Sequence, residues 1–195
     1  MSKTIAVGVE DFKEIIDNNY FYVDKTLFIK HVIEGGSKVS LITRPRRFGK
    51  TLNLSMLKYY FDINLDSKSI FEGLNIISCD EKYTSEMNTY PVIFLTLKSL
   101  KYSDYETNII NLKSYISNIY KEHLYLLNSN KLLESEKETI SRIIDNKIYD
   151  SEISNLLYNL SGYLYKHFDH AGNRFRPRAS ARKFLKNLEA IYCRL

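Results

Sequence analysis

Residues 43–52 read Thr43-Arg44-Pro45-Arg46-Arg47-Phe48-Gly49-Lys50-Thr51-Leu52, and this stretch decides the predicted fold. Before it, residues 39–42 (Val-Ser-Leu-Ile) are mostly apolar and partly β-branched, which predicts a buried strand. After it, apolar residues recur at helical spacing as far as Phe61, which predicts a helix that begins at Gly-Lys-Thr. A strand, a tight basic loop and a helix in this order are typical of a phosphate-binding loop.

The residue types of this loop suit the binding of nucleotide phosphates. Backbone N–H groups at a helix N-terminus point at a bound anion, and the helix dipole adds partial positive charge there. Gly49 lets the backbone approach closely, Lys50 is expected to contact the terminal phosphates, and the Thr51 hydroxyl is expected to bind Mg2+. The predicted site for ATP and Mg2+ consists of Arg44, Pro45, Arg46, Arg47, Phe48, Gly49, Lys50, Thr51 and Leu52. No catalytic residue is assigned.

The loop departs from the general phosphate-loop template at one position. That template has glycine five positions before Gly49, where this chain has Arg44. Two alternatives therefore stay open from the residues alone. The loop could be a basic surface turn whose arginines are solvated, or its arginines could bind the phosphates of a nucleic acid.

Three further segments, taken together with the loop, resemble a known family. They are Gly8-Val9-Glu10-Asp11-Phe12, Tyr22-Val23-Asp24-Lys25-Thr26 and Tyr90-Pro91-Val92-Ile93-Phe94-Leu95. From about residue 5 to residue 169 the chain resembles the AAA-ATPase-like domain family, which comprises bacterial P-loop proteins often joined to a C-terminal PD-(D/E)XK nuclease-like domain. In that family arginine is usual at the position of Arg44. The resemblance implies binding and hydrolysis of ATP, and a place for Asp24 beside the nucleotide; alternatively, Asp24 only caps the helix that follows.

The predicted fold is α/β, with a P-loop NTPase-like parallel sheet flanked by helices. Residues 92–97 (Val-Ile-Phe-Leu-Thr-Leu) follow Pro91, which can open a strand, and their apolar run suits a strand covered on both faces. Residues 39–43 are the second predicted strand of this sheet. Helices are predicted over residues 11–18 and 25–34, and in three stretches after residue 103, one of which begins with a capping box of Ser135 and Glu138.

The composition changes at residue 170. Alanine occurs once before this point and four times after it, and five of the nine arginines follow Asp169. The resembled family would have here an apolar strand ending in acidic residues, the Walker B strand, whose carboxylate supports hydrolysis. This chain lacks it, and residues 76–81, which end in Asp80 and Glu81, are too short and polar to replace it.

We therefore expect residues 1–169 to be the N-terminal part of an AAA-ATPase-like domain whose sheet is incomplete. Residues 170–195 would be an atypical basic tail, foreign or out of frame, on a truncated chain. On this interpretation the chain binds nucleotide but hydrolyses it weakly or not at all. The alternative is a genuine basic tail that binds nucleic acid.

The bulk composition is that of a globular protein. The chain has 195 residues, of which 44% are hydrophobic and 26% charged, and its net charge of +5 permits an anionic partner without requiring one. It has no long uncharged apolar run, no secretory signal at its N-terminus, and two distant cysteines. These features predict a cytoplasmic protein without a membrane partner. They leave its oligomeric state undefined.

Overall fold

The structure, a computed structural model, describes residues 4–35, 45, 48–96 and 104–168. The chain forms two compact units, Met1–Val92 and Ile93–Leu195, and each has a hydrophobic core of its own. Helices account for 61% of the described residues. The predicted tail, residues 170–195, lies outside the described residues.

The first unit is built from short helices around one long helix. Its elements are α1 (Phe12–Asp17), α2 (Leu27–Glu34), α3 (Lys50–Phe61), α4 (Lys68–Phe71), a 3₁₀ turn (Asn75–Ser78) and α5 (Glu81–Thr84). Its core consists of Phe12, Ile29, Met56, Tyr60, Ile70, Phe71, Ile76 and Tyr83. Since α3 supplies both Met56 and Tyr60, which are fully buried, this helix lies at the centre of the unit.

The second unit packs three long helices together. Its elements are α6 (Tyr105–Lys121), a 3₁₀ turn (Leu124–Asn128), α7 (Glu134–Ile144), a 3₁₀ turn (Asp150–Asn155) and α8 (Leu156–Phe168). The core is mostly isoleucine and leucine, with Tyr120 fully buried among them. The Tyr120 hydroxyl donates to the Leu156 carbonyl at 2.7 Å, so the buried phenol has a hydrogen-bond partner at the start of α8.

The predicted parallel sheet flanked by helices is wrong. The described residues contain no sheet, and their β-type pairing is an isolated parallel bridge between Asp62 and Tyr90. Residues 92–96 belong to no regular element, and the Thr96 N–H donates to the Tyr115 hydroxyl at 2.6 Å. Residues 39–43, the other predicted strand, lie outside the described residues, as does Leu97.

The error has a physical cause. An apolar run reports burial, whereas a strand also requires a neighbouring backbone for its hydrogen bonds. Ile93 and Leu95 are indeed packed against the second core. However, the boundary between the two units falls between Val92 and Ile93, so the predicted strand does not belong to one layer of one unit.

Most of the predicted helices are confirmed. The helices α1 and α2 fall within the predicted ranges, and α3 begins at Lys50 as expected. The predicted capping box at Ser135 and Glu138 is wrong, because the N-cap of α7 is Leu133, two residues earlier, and Glu136 accepts the Leu133 N–H at 3.0 Å. Within the described parts of the chain, no helix combines the length and the apolar character needed to cross a bilayer.

Candidate functional site

Gly49 sets the direction of the backbone at the start of α3. This residue has φ +69° and ψ 27°, a left-handed conformation that costs a residue with a Cβ about 1–2 kcal/mol. The next residue, Lys50, is the first of α3, and the Gly49 carbonyl accepts the Asn53 N–H at 2.9 Å. Gly49 therefore turns the chain directly into the first turn of the helix.

The requirement for glycine at this position is conformational. A Cβ built on Gly49 would meet no described atom within 4 Å, so the described residues do not crowd the position. The positive φ alone is enough to favour glycine here. The close approach of the Gly49 backbone to a phosphate stays a prediction.

The Lys50 side chain contacts Pro45, five residues earlier in the chain. Its Nζ donates to the Pro45 carbonyl at 3.2 Å, and its side chain is partly buried. The ammonium group is thus held at the N-terminal end of α3, on the side of the loop. A lysine in this place puts a full positive charge beside the partial positive charge of the helix N-terminus.

The other predicted site residues divide into three groups. Arg44, Arg46 and Arg47 lie outside the described residues. Phe48 is 58% exposed, and Thr51 lies half-buried in the first turn of α3. Leu52 is partly buried and packs against the first core.

Asp24 has a structural role in the described chain. Its Oδ1 accepts the backbone N–H and the hydroxyl of Thr26, at 2.8 and 2.7 Å, and its Oδ2 accepts the Asn75 N–H at 2.8 Å. The Thr26 hydroxyl, fully buried, accepts the Ile76 N–H at 3.1 Å. Burial raises the pKa of Asp24, but its hydrogen bonds with Asn75 and Thr26 outweigh this and lower it. Asp24 thus joins the start of α2 to the 3₁₀ turn at residues 75–78.

The acidic pair considered as a replacement for the missing Walker B strand does not follow a strand. Residues Asn75–Ser78 form the 3₁₀ turn, and Asp80 precedes α5, where its carbonyl accepts the Tyr83 N–H at 2.9 Å. Among the described residues, no group of three or more His, Cys, Asp or Glu side chains could hold a metal ion. Magnesium at a phosphate loop does not need such a group, since one hydroxyl and phosphate oxygens supply hard oxygen ligands.

Sequence reasoning missed a polar cluster on α3. The Asp11 carboxylate accepts the Ser55 hydroxyl at 3.2 Å and the Tyr59 hydroxyl at 3.2–3.3 Å. Burial first, and then the negative charge of Asp11, raise the pKa of Tyr59 to about 12. Asp11 is the N-cap of α1, and nothing in the sequence pairs that residue with two hydroxyls more than forty positions away.

One comparison with known proteins shows the family of the chain. A family model described as "Predicted AAA-ATPase" matches residues 6–169. The chain is also similar to an "Uncharacterized protein in vnfD 5'region" of Azotobacter chroococcum mcd 1, with 40% identity over 75 residues. That alignment covers 38% of this chain and 14% of the relative, so the chain corresponds to a small part of that protein. No solved structure matches the chain significantly.

Proposed function

This chain belongs to the predicted AAA-ATPase family, and from that premise we propose that residues 44–52 bind the phosphates of ATP together with Mg2+. One observation carries the proposal. The left-handed Gly49 leads straight into the twelve-residue helix α3, and the Lys50 Nζ donates to the Pro45 carbonyl. Left-handed and right-handed residues in succession turn neighbouring N–H groups toward one side, where they can bind an anion.

In this proposal the loop provides contacts both for the phosphates and for the metal. The N–H groups at the start of α3 and the Lys50 ammonium bind phosphate oxygens, and the loop arginines Arg44, Arg46 and Arg47 add positive charge around them. The Thr51 hydroxyl is an oxygen donor of the kind that Mg2+ prefers. When bound, Mg2+ would neutralise charge on the phosphates.

We propose slow hydrolysis for this chain. Phosphoryl transfer by P-loop proteins uses a carboxylate to hold the metal shell, in addition to the loop. In the described residues, neither Asp80 nor Glu81 follows a strand, and we assign no catalytic carboxylate. A phosphate-release assay checks this. Turnover of about 1 per second or faster, a usual enzyme rate, would contradict slow hydrolysis.

Charge distribution disfavours the nucleic-acid alternative for the globular part of the chain. Residues 1–169 contain 21 Lys and Arg against 22 Asp and Glu, whereas residues 170–195 contain seven and one. The net positive charge of the chain is therefore that of the tail. Binding of a nucleic acid through the tail would weaken steeply with added salt and would be insensitive to ATP.

Replacing Lys50 tests the loop assignment. Lys50→Ala should weaken ATP binding by about tenfold or more, because it removes a charge-assisted contact with phosphate while leaving the core intact. Lys68→Ala is the matched control, since Lys68 is an exposed lysine of the same unit, on α4. Binding is measured by titration calorimetry and stability by the thermal midpoint. Equal ATP affinity in the two variants would contradict the proposed function.

Replacing Thr51 tests the metal assignment. Thr51→Val keeps the β-branched shape and removes the oxygen, so Mg2+ should no longer enhance ATP binding. Thr51→Ser restores a hydroxyl and should restore the enhancement. The measurement is the ratio of ATP affinities with and without Mg2+. If Thr51→Val retains the ratio of the unmodified protein, then Thr51 is not a metal ligand.

A further inference from the structure

The carboxylate of Asp11 connects two helices of the first unit. Its Oδ1 accepts the Glu14 N–H at 3.1 Å, which caps α1. The same carboxylate accepts the hydroxyls of Ser55 and Tyr59, both on α3. Ser55 also accepts the buried Phe12 N–H at 3.0 Å. A single charged group thus ties the start of α1 to α3.

The two hydroxyls belong to a row of residues that begins in the loop site. Thr51, Ser55 and Tyr59 are spaced four residues apart, so they lie along one face of α3. Ser55 is about 6 Å along the helix axis from Thr51. A helix of this length is rigid enough that its rotation at Ser55 determines the direction of its first turn.

Burial of Ser55 strengthens the contact between Asp11 and this row of residues. Ser55 is 4% exposed and accepts one hydrogen bond while donating another, and next to it Met56 fills the core. Hydrogen bonds to a charged acceptor are stronger than those between neutral groups, typically by about a factor of two. The contact therefore resists both rotation and sliding of α3.

We infer that Asp11 is a positioning residue for the loop site, because its grip on Ser55 and Tyr59 fixes the rotation of α3 and so the direction of Thr51 and of the first-turn N–H groups. The expected effect of Asp11 on nucleotide binding rests on the proposed function. The stabilisation of α3 by Asp11 does not, and it can be measured in the protein without nucleotide.

The experiment compares Asp11→Asn and Tyr59→Phe with the unmodified chain. In both variants the backbone amides of residues 53–57, the first hydrogen-bonded amides of α3, should exchange with solvent about tenfold faster. The enhancement of ATP binding by Mg2+ should fall by a similar factor. Tyr59→Phe removes one hydroxyl alone, so it carries the test if Asp11→Asn fails to fold.

Thr26→Val is the control. Thr26 is fully buried in the same unit and bonds Asp24 and the Ile76 N–H, so its loss destabilises the unit away from the Asp11 cluster. It should lower the thermal midpoint while leaving exchange at residues 53–57 and the Mg2+ enhancement unchanged.

The outcomes separate the two hypotheses. Exchange that is unchanged in Tyr59→Phe, or equally fast in Thr26→Val, overturns the positioning role of Asp11. Unmodified protein that binds no ATP contradicts the proposed function, and the exchange rates still decide whether Asp11 holds α3. If ATP binds and exchange accelerates while the Mg2+ enhancement is retained, Asp11 does not position the site.

Discussion

Gly49 and Gly73 share a backbone conformation in different parts of the first unit. Their φ angles are +69° and +75°, and at neither would a Cβ meet a described atom within 4 Å. Substitution by alanine therefore introduces the same kind of strain at both sites, and a steric clash at neither. Gly73 follows α4, whereas Gly49 opens α3 beside Lys50. Comparing alanine variants at the two positions therefore distinguishes a loss of stability from a change at the start of α3.

Gly49→Ala and Gly73→Ala should each lower the free energy of unfolding by about 1–2 kcal/mol, the cost of a left-handed residue with a Cβ. Only Gly49→Ala should also weaken ATP binding, because the strained residue would rotate the N–H groups at the start of α3. Urea unfolding and calorimetric titration of both variants measure the two effects. A matching loss of ATP affinity in Gly73→Ala would mean that affinity follows stability rather than loop shape.

At this scale the sequence predicts local features and misses distant partners. Gly-Lys-Thr and the apolar residues at helical spacing after it predict the start of α3, because these signals all lie within one short segment. The hydrogen bonds of Asp11 and Asp24 could not be read in the same way, since they depend on which segments the fold brings together. Asp24 is an example. The resemblance implied that Asp24 lies beside the nucleotide, whereas its hydrogen bonds with Thr26 and Asn75 became visible only in the structure.

Among the elements, α3 is secured at its far end by Asn88. The Asn88 Nδ2 donates to the carbonyls of Tyr59 and Asp62, at 3.1 and 2.8 Å, and its Oδ1 accepts the Ser67 N–H at 3.3 Å. Tyr59 lies in the last turn of α3 and Asp62 is its C-cap, where carbonyls lack intrahelical partners. Asn88 itself has φ 52°, a left-handed conformation that asparagine tolerates better than most residues.

Two substitutions separate the effects of the Asn88 hydrogen bonds and of its left-handed conformation on stability. Asn88→Gly keeps the positive φ and loses the side-chain hydrogen bonds, so it should lower the free energy of unfolding by about 1–3 kcal/mol. Asn88→Ala adds the strain of the left-handed conformation and should cost about 1 kcal/mol more. Chemical denaturation measures both. Equal stability of the glycine variant and the unmodified protein would show that the side chain does not cap α3.

The elements also show why most helix predictions were confirmed and the sheet prediction was wrong. A helix satisfies its hydrogen bonds within one segment, so apolar spacing and end signals suffice to locate it. A strand depends on a partner elsewhere in the chain. Tyr90 illustrates this, because it pairs with the end of α3, where its N–H donates to the Phe61 carbonyl at 2.9 Å and its carbonyl accepts the Ile63 N–H at 2.7 Å. The apolar residues after it then pack into the second core.

For the molecule as a whole, the shifted pKa values point to loss of stability in acid. In the second unit, burial lowers the pKa of His167, whose Nδ1 lies 2.8 Å from the Ser129 hydroxyl. The bidentate ion pair with Arg142, at 2.7 Å for both contacts, lowers the pKa of Glu152. The unfolded chain binds protons more readily at both groups. Each group therefore contributes stability that decreases as the pH decreases.

These two groups act in different pH ranges. The ordinary pKa of histidine is about 6.5 and that of glutamate about 4.3. The stability due to neutral His167 is complete above about pH 6.5 and declines as the pH falls through that value. The stability due to ionised Glu152 is complete above its ordinary pKa and declines as the pH falls toward its lower folded value.

The free energy of unfolding should therefore decrease with decreasing pH in two separate pH ranges. His167→Asn keeps a polar atom near Ser129 and removes the titrating ring, so it should reduce the slope of unfolding free energy against pH between about pH 7 and 5. Glu152→Gln should leave that slope intact and reduce the one below about pH 4.5. Urea unfolding at closely spaced pH values, followed by far-ultraviolet circular dichroism, measures both slopes. If His167→Asn keeps the full slope between pH 7 and 5, the titration of His167 does not control the stability of the second unit.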